Sequence, residues 1–224
     1  MTPNRNRVFT LPLQLRPLAL ALAASTVLSA CAPLVVGGVA VGGTMMAIDR
    51  RSSGNQVEDQ AIELKAPAQI TAAIGDKAHV NVTSYNRVVL LTGEVPTDAD
   101  RAAAEQAVAR VEGVRSVVNE LAVMGNSSFT ARSNDSFITG IVKAALLDAK
   151  DMQSNAIKVV TERGVVYLMG RVTEREATRA TEIARAQSGV QKVVRVFEIL
   201  TEAELANLLP KPSTAATPAS APQK

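Results

Sequence analysis

Between about residue 57 and residue 200 the chain says the same thing twice. Val80-Asn81-Val82-Thr83-Ser84-Tyr85-Asn86-Arg87-Val88-Val89-Leu90-Leu91-Thr92-Gly93-Glu94-Val95 matches Ile157-Lys158-Val159-Val160-Thr161-Glu162-Arg163-Gly164-Val165-Val166-Tyr167-Leu168-Met169-Gly170-Arg171-Val172 at an offset of 77 residues. A repeat of this length means two copies of one supersecondary unit, not one continuous domain. Each copy holds two β-branched runs around a short turn, the signature of a hairpin. Thr97 with Asp100, and Thr173 with Glu176, then open alanine-rich amphipathic helices over residues 99–111 and 177–187; the second pair spells a capping box. Gly113 and Gly189 follow, at positions expected to need positive φ, and a third strand is expected over 114–123 and 190–199. A less closely matched helix precedes each hairpin, with Asp59 aligned to Asp135. The fold class is α+β: two tandem units, each helix-strand-strand-helix-strand, with a three-stranded sheet and two helices.

A unit of about 70 residues buries little core by itself. A sheet covered by helices on one face and wetted on the other alternates apolar and polar residues. Val88-Val89-Leu90-Leu91 and Val165-Val166-Tyr167-Leu168-Met169 do not alternate. The second sheet face is therefore expected to be covered too, most simply by the other copy. A polar residue at Leu91 is one substitution expected to expose such burial.

The stretch from Ser133 to Leu147 carries the most pointed functional signal. Asn134 or Asp135 is a candidate helix cap, and Ile138, Ile141, Val142, Ala145 and Leu146 keep the rhythm of one buried helix face. Phe137 falls off that stripe, near Thr139, Gly140 and Lys143. It either packs beneath a loop or dips, with the lysine, into a lipid headgroup layer. In the first copy Ala61 holds the Phe137 position and Pro67 the Lys143 position. A proline so deep in a helix is expected to kink or end it.

The first thirty residues read as a targeting segment. Arg5, Arg7 and Arg16 precede an apolar run over 18–28 that is too short to span a bilayer, and Leu28-Ser29-Ala30-Cys31 resembles a bacterial lipobox. Cys31 is the only cysteine, so it is the candidate lipidation site and no disulfide framework is expected. Residues 31–56, with Gly37-Gly38 and Gly42-Gly43, read as a flexible tether. They are followed by units at 57–125 and 126–200.

Charge narrows the partners. Of 24 basic and 21 acidic residues, the targeting segment removes three basic ones, so the basic balance is no argument for nucleic-acid binding. Tryptophan is absent and aromatics make up 3% of the chain, which leaves base stacking little to work with. The first unit carries six basic and ten acidic residues, the second eleven and eight. An anionic bilayer would attract the second and repel the first. Arg171, Arg175, Arg179 and Arg185 read as a solvated face paired with glutamates. His79, the sole histidine, reads as a satisfied strand residue and not a metal ligand; no catalytic or metal-binding spacing appears and no cofactor is expected.

The repeat, with Gly93-Glu94-Val95 and Gly170-Arg171-Val172 after each second strand, resembles the BON domain. Together with the lipobox and glycine-rich tether it resembles the dual-BON-domain outer-membrane lipoproteins over about residues 31–197. Ser133-Asn134-Asp135, the run from Val166 to Ala177, and Ser188-Gly189-Val190 are its most specific pieces. That resemblance implies a non-enzymatic lipoprotein on the periplasmic face of the outer membrane, an address that Ala32 after the cysteine also favours. It implies binding of anionic phospholipid such as phosphatidylglycerol through the first helix of the second unit, with Phe137, Thr139, Gly140, Ile141, Val142 and Lys143 on the lipid-facing surface. The alternative is a periplasmic adaptor for outer-membrane assembly or division-site proteins, which an exposed aromatic serves equally well. At the end of the chain, Thr201 and Glu204 make a capping box for a short helix, and the Pro/Ala/Ser/Thr-rich residues 211–224 are expected to be disordered.

Overall fold

The computed structural model describes residues 49–208. The targeting segment, Cys31, most of the tether and the proline-rich tail lie outside the described residues. The first copy comprises α1 (Ser53–Ile74), β1 (His79–Tyr85), β2 (Val88–Val95) and α2 (Asp98–Ala109), with a third strand in two pieces, β3 (Ser116–Asn119) and β4 (Ala122–Val123). The second comprises α3 (Phe129–Asp148), a 3-10 turn at Ser154–Ala156, β5 (Ile157–Glu162), β6 (Val165–Thr173), α4 (Glu174–Arg185), β7 (Lys192–Leu200) and the short α5 (Glu202–Leu208). In each sheet the hairpin strands run antiparallel and the third strand returns through a helix to pair parallel with the second. Two α+β units of the expected order are present.

Three of the caps sit where the sequence put them. Thr97 Oγ1 accepts the Asp100 amide, Thr173 and Glu176 close a capping box, and Thr201 and Glu204 close another ahead of α5. Gly113 and Gly189 do have positive φ, 90° and 85°, but each lies in the turn beyond the helix end, not next to it. Gly93 and Gly170 are fixed by crowding. A Cβ at either would run into a facing backbone carbonyl, that of His79 at the start of β1 or of Ala156 just ahead of β5, which is why both copies hold glycine there.

Two local expectations fail. Asp135 does not cap α3: that helix starts earlier, behind Ser128, whose Oγ accepts the Ala131 amide. Asp135 is buried instead, taking the Arg163 and Gly164 amides at 2.8 Å each. Asp59 does the same in the first copy, accepting the Asn86 and Arg87 amides at 2.8 Å and the Ser84 hydroxyl at 2.7 Å. Both hairpin turns need two successive left-handed residues (Asn86 and Arg87; Arg163 and Gly164), a conformation costly for arginine. A buried carboxylate holding both amides compensates. Pro67, likewise, does not end α1, which runs on to Ile74 because Ile62, Ala66 and Ile70 anchor one buried line on both sides of it. The same line reappears in α3 as Ile138, Val142 and Leu146.

Three apolar layers result. Val89, Leu91 and Val95 of β2 face α1 and α2, and Val166, Leu168 and Val172 of β6 face α3 and α4. Between the sheets, Tyr85 and Leu90 of the first copy meet Tyr167 and Met169 of the second, with Val118, Val160, Val194 and Val196 around them. The non-alternating hairpins are thus buried on both faces, and the residue that meets the other copy is Leu90, not Leu91. Burial pushes the Tyr85 and Tyr167 phenols up to about 12. Polar contacts ring the seam: Lys158 Nζ to Glu63 at 2.7 Å, Asn86 Nδ2 to Glu198 at 2.7 Å, and Tyr85 Oη to the Ala156 carbonyl at 3.2 Å.

The chain ahead of α1 is held, not free. Arg50 is buried and forms a two-pronged ion pair with Glu176 at 2.7 Å for each bond, while Arg171 Nη1 donates to the Arg50 carbonyl. Arg51 bonds Asp49 and Asp59 and lies over the Tyr85 ring at 4.3 Å. The tether expected to run flexibly up to residue 56 is held from Asp49 on by partners from both units.

Leu90→Ala is expected to cost about 2–5 kcal/mol in urea unfolding and to act on both units at once. A cost below about 0.5 kcal/mol, typical of exposed sites, would mean that the sheets do not share a core. Asp59 adds a pH-dependent contribution. Burial pushes its carboxyl up, but the Ser84 hydroxyl, the Arg87 and Asn86 amides and Arg51 outweigh that and hold it below the ordinary range. A depressed folded-state pKa gives stability that is present above the unfolded value, near 3.9, and lost as pH falls through the folded one. Asp59→Asn should cost about 1.5–3 kcal/mol at pH 7, and the gap from the wild type should narrow in acid, as melts from pH 7 down to pH 3 would record.

Candidate functional site

The candidate site is the outer face of α3. Eighteen residues make five turns of helix, so Phe129 and Leu147 lie on one side of it, with Phe137 less than a quarter-turn round. Their exposures are 79%, 63% and 67%. The buried line of Asp135, Ile138, Val142 and Leu146 runs down the opposite side. Two of the chain's four phenylalanines are thus turned away from the core on one helix face. A large apolar side chain left in water forgoes about 1.5–3 kcal/mol of burial, and three on one face make this helix the candidate docking surface.

The proposed surface residues separate on inspection. Phe137, Gly140 and Lys143 are exposed, with nothing near Gly140 for a Cβ to meet. Thr139 is half-buried, its hydroxyl 2.8 Å from that of Thr161, and Ile141 is half-buried as well. Val142 must be corrected: it is wholly buried among the core residues, because its place on the inward line of the helix leaves it no surface to offer. Sequence reasoning missed Phe129 and Leu147. Starting the helix at Asn134 left Phe129 in a loop, and Ser128 was the cap signal that would have placed it.

The helix carries two exposed cations, Arg132 and Lys143, and one exposed carboxylate, Asp148. Among the described residues no carboxylate stands within ion-pair distance of Arg132 or Lys143, both exposed on α3. The arginines elsewhere in the second unit are mostly engaged: Arg171 with Glu198, Arg179 with Asp151, Arg195 with Glu174, and Arg175 with the Asp151 carbonyl. Beside Lys143, Leu147, Ser154 and Ile157 border a shallow groove of 230 Å³. The equivalent face of α1 has Ala61 in place of Phe137 and Pro67 in place of Lys143, and its exposed apolar residues are Val57 and Leu64, neither aromatic.

Comparison with known proteins agrees with the two-unit architecture. The BON domain model matches residues 58–125 and again 134–201. The outer membrane lipoprotein DolP of Haemophilus influenzae is 38% identical over 188 residues, covering 83% of this chain and 97% of that protein. The 21 kDa hemolysin of Actinobacillus pleuropneumoniae is 35% identical, covering 67% of this chain and 78% of its own length. The osmotically-inducible protein Y of Escherichia coli is 34% identical, covering 62% and 72%. With two family matches across most of its length and a lipoprotein relative matched almost end to end, the chain belongs to the BON-domain family, as a lipid-anchored protein of the outer membrane.

Proposed function

We propose that this lipoprotein is non-enzymatic and binds anionic phospholipid of the phosphatidylglycerol kind through the outer face of α3, in support of the cell envelope. The observation that carries the reading is the pairing of Phe129, Phe137 and Leu147, exposed on one helix face, with the unpaired cations Arg132 and Lys143 on the same helix. Aromatic and aliphatic side chains enter the headgroup–acyl boundary while basic residues meet the phosphates, each worth about 1 kcal/mol near a charged surface. Among the described residues no helix is long and apolar enough to cross a membrane. Attachment is proposed to come from acyl chains on Cys31, at about 0.8 kcal/mol per buried CH₂, and α3 then reads the surface to which the protein is tied. Thr139 and Ile141 shape the flank of that face, Gly140 lets the bilayer approach the backbone, and Val142 fixes the helix from beneath.

The test is vesicle cosedimentation of a soluble form beginning at Asp49, which keeps the Arg50–Glu176 clamp. It should bind phosphatidylglycerol vesicles and not neutral ones. Phe137→Ala should weaken binding, Phe137→Glu should weaken it further by like-charge repulsion, and Lys143→Ala should have an effect that fades as salt rises. Because both side chains lie off the buried line, thermal unfolding should shift little, within about 0.5 kcal/mol. Equal binding to both vesicle types, or none, would favour the adaptor role toward outer-membrane assembly or division proteins. In cells, Cys31→Ala should abolish palmitate labelling and membrane retention while leaving the folded units intact; a labelled mutant would contradict anchoring at that residue.

A further inference from the structure

The seam between the sheets is apolar along its middle, but one end holds a different chemistry. His79 of β1, Glu94 of β2 and Glu162 of β5 all project into the space between the sheets, and their donor atoms lie within 4.8 Å of one another. Glu94 is wholly buried and Glu162 is 2% exposed. Glu94 is well provided for: Oε2 lies 3.1 Å from His79 Nδ1 and accepts the Ser127 amide, while Oε1 faces Arg163 at 3.3 Å. Glu162 is not. Its partner is the neutral Asn81 amide at 2.9 Å, and no cation pairs with it among the described residues.

A buried carboxylate without a counter-charge is costly. Two hydroxyls close in sequence or by hydrogen bonding to Glu94 have no partner among the described residues. Ser127 Oγ is buried next to the amide that bonds Glu94, and Thr92 Oγ1 is buried on the same sheet face, two residues before Glu94. A pocket of 350 Å³, with Arg132, Asp135 and Thr139 among its lining, reaches His79 and Glu162 and gives them a route to solvent.

We propose that His79, Glu94 and Glu162 form a binding site for a divalent transition cation of the Zn²⁺ class, closing the seam with ligands from both units. An imidazole with two carboxylates suits Zn²⁺ and is a poor set for Mg²⁺ or Ca²⁺, which take all-oxygen shells. Metal bonds of about 2.0–2.2 Å place neighbouring donors roughly 3.4 Å apart, so the three side chains draw in slightly on binding. Water from the pocket takes the fourth position. Arg163 stays on the other oxygen of Glu94. The ion supplies the charge that Glu162 lacks and ties the first unit to the second. Sequence spacing hid the site because its ligands come from three strands of two sheets.

The sole histidine makes the test clean. The full chain, purified in detergent and stripped with a chelator, is titrated with Zn²⁺ and separately with Mg²⁺. Calorimetry, thermal melting and ¹⁵N NMR of the imidazole follow the titration. One Zn²⁺ per chain should bind, the melting temperature should rise, and the His79 Nδ1 resonance should move, with Mg²⁺ doing none of these. Glu162→Gln retains a carbonyl for the Asn81 bond, so its metal-free melt should match or exceed the wild type, yet its Zn²⁺ affinity should fall roughly tenfold or more. An imidazole resonance unmoved at about 100 μM Zn²⁺, or Zn²⁺ binding that Glu162→Gln leaves unchanged, would overturn the proposal whatever the variant's stability.

Discussion

Everything about the arrangement of this protein depends on the contact of Leu90 and Tyr85 with Tyr167 and Met169. A three-stranded sheet with two helices on one face leaves its other face in water, and a unit of that size has little stability to spare. Placing two such sheets back to back converts two exposed faces into one core. It also decides what remains outside: the helices, and above all the first helix of each unit. Because the seam is ringed by directional contacts such as Lys158 with Glu63 and Asn86 with Glu198, the units are registered against one another as well as stuck together.

Within that shared frame the copies have kept their scaffolding and diverged at the surface. Asp59 and Asp135 do the same work on the two hairpin turns, and the buried lines of α1 and α3 correspond residue for residue. On the outer faces nothing corresponds. α3 carries Phe129, Phe137 and Leu147 beside unpaired cations, whereas α1 carries a proline within a unit of net negative charge.

The sequence made the periodic features legible. Strand pairs, capping residues and the covered second sheet face followed from patterns a few residues long or from the repeat itself. What it hid was long-range. Asp135 looks like a helix cap because its neighbours are polar, and its real partners lie 28 and 29 residues on, in a turn that needs them. Arg50 looks like tether, but its partner Glu176 is 126 residues away. Val142 fits the apolar stripe and a lipid-facing position equally well on paper, and only its burial separates the two. His79 reads as an ordinary strand residue until β5 of the other copy brings Glu162 beside it.

On the proposed function, α3 of the second unit, and not α1 of the first, is the face that meets an anionic bilayer. Paramagnetic broadening from spin-labelled lipid in phosphatidylglycerol nanodiscs tests it directly, residue by residue, on the form beginning at Asp49. The account predicts loss of amide signal around Phe129, Phe137, Gly140 and Leu147 while Val57 and Leu64 on α1 stay sharp. Broadening centred on α1, or spread equally over both helices, would contradict it.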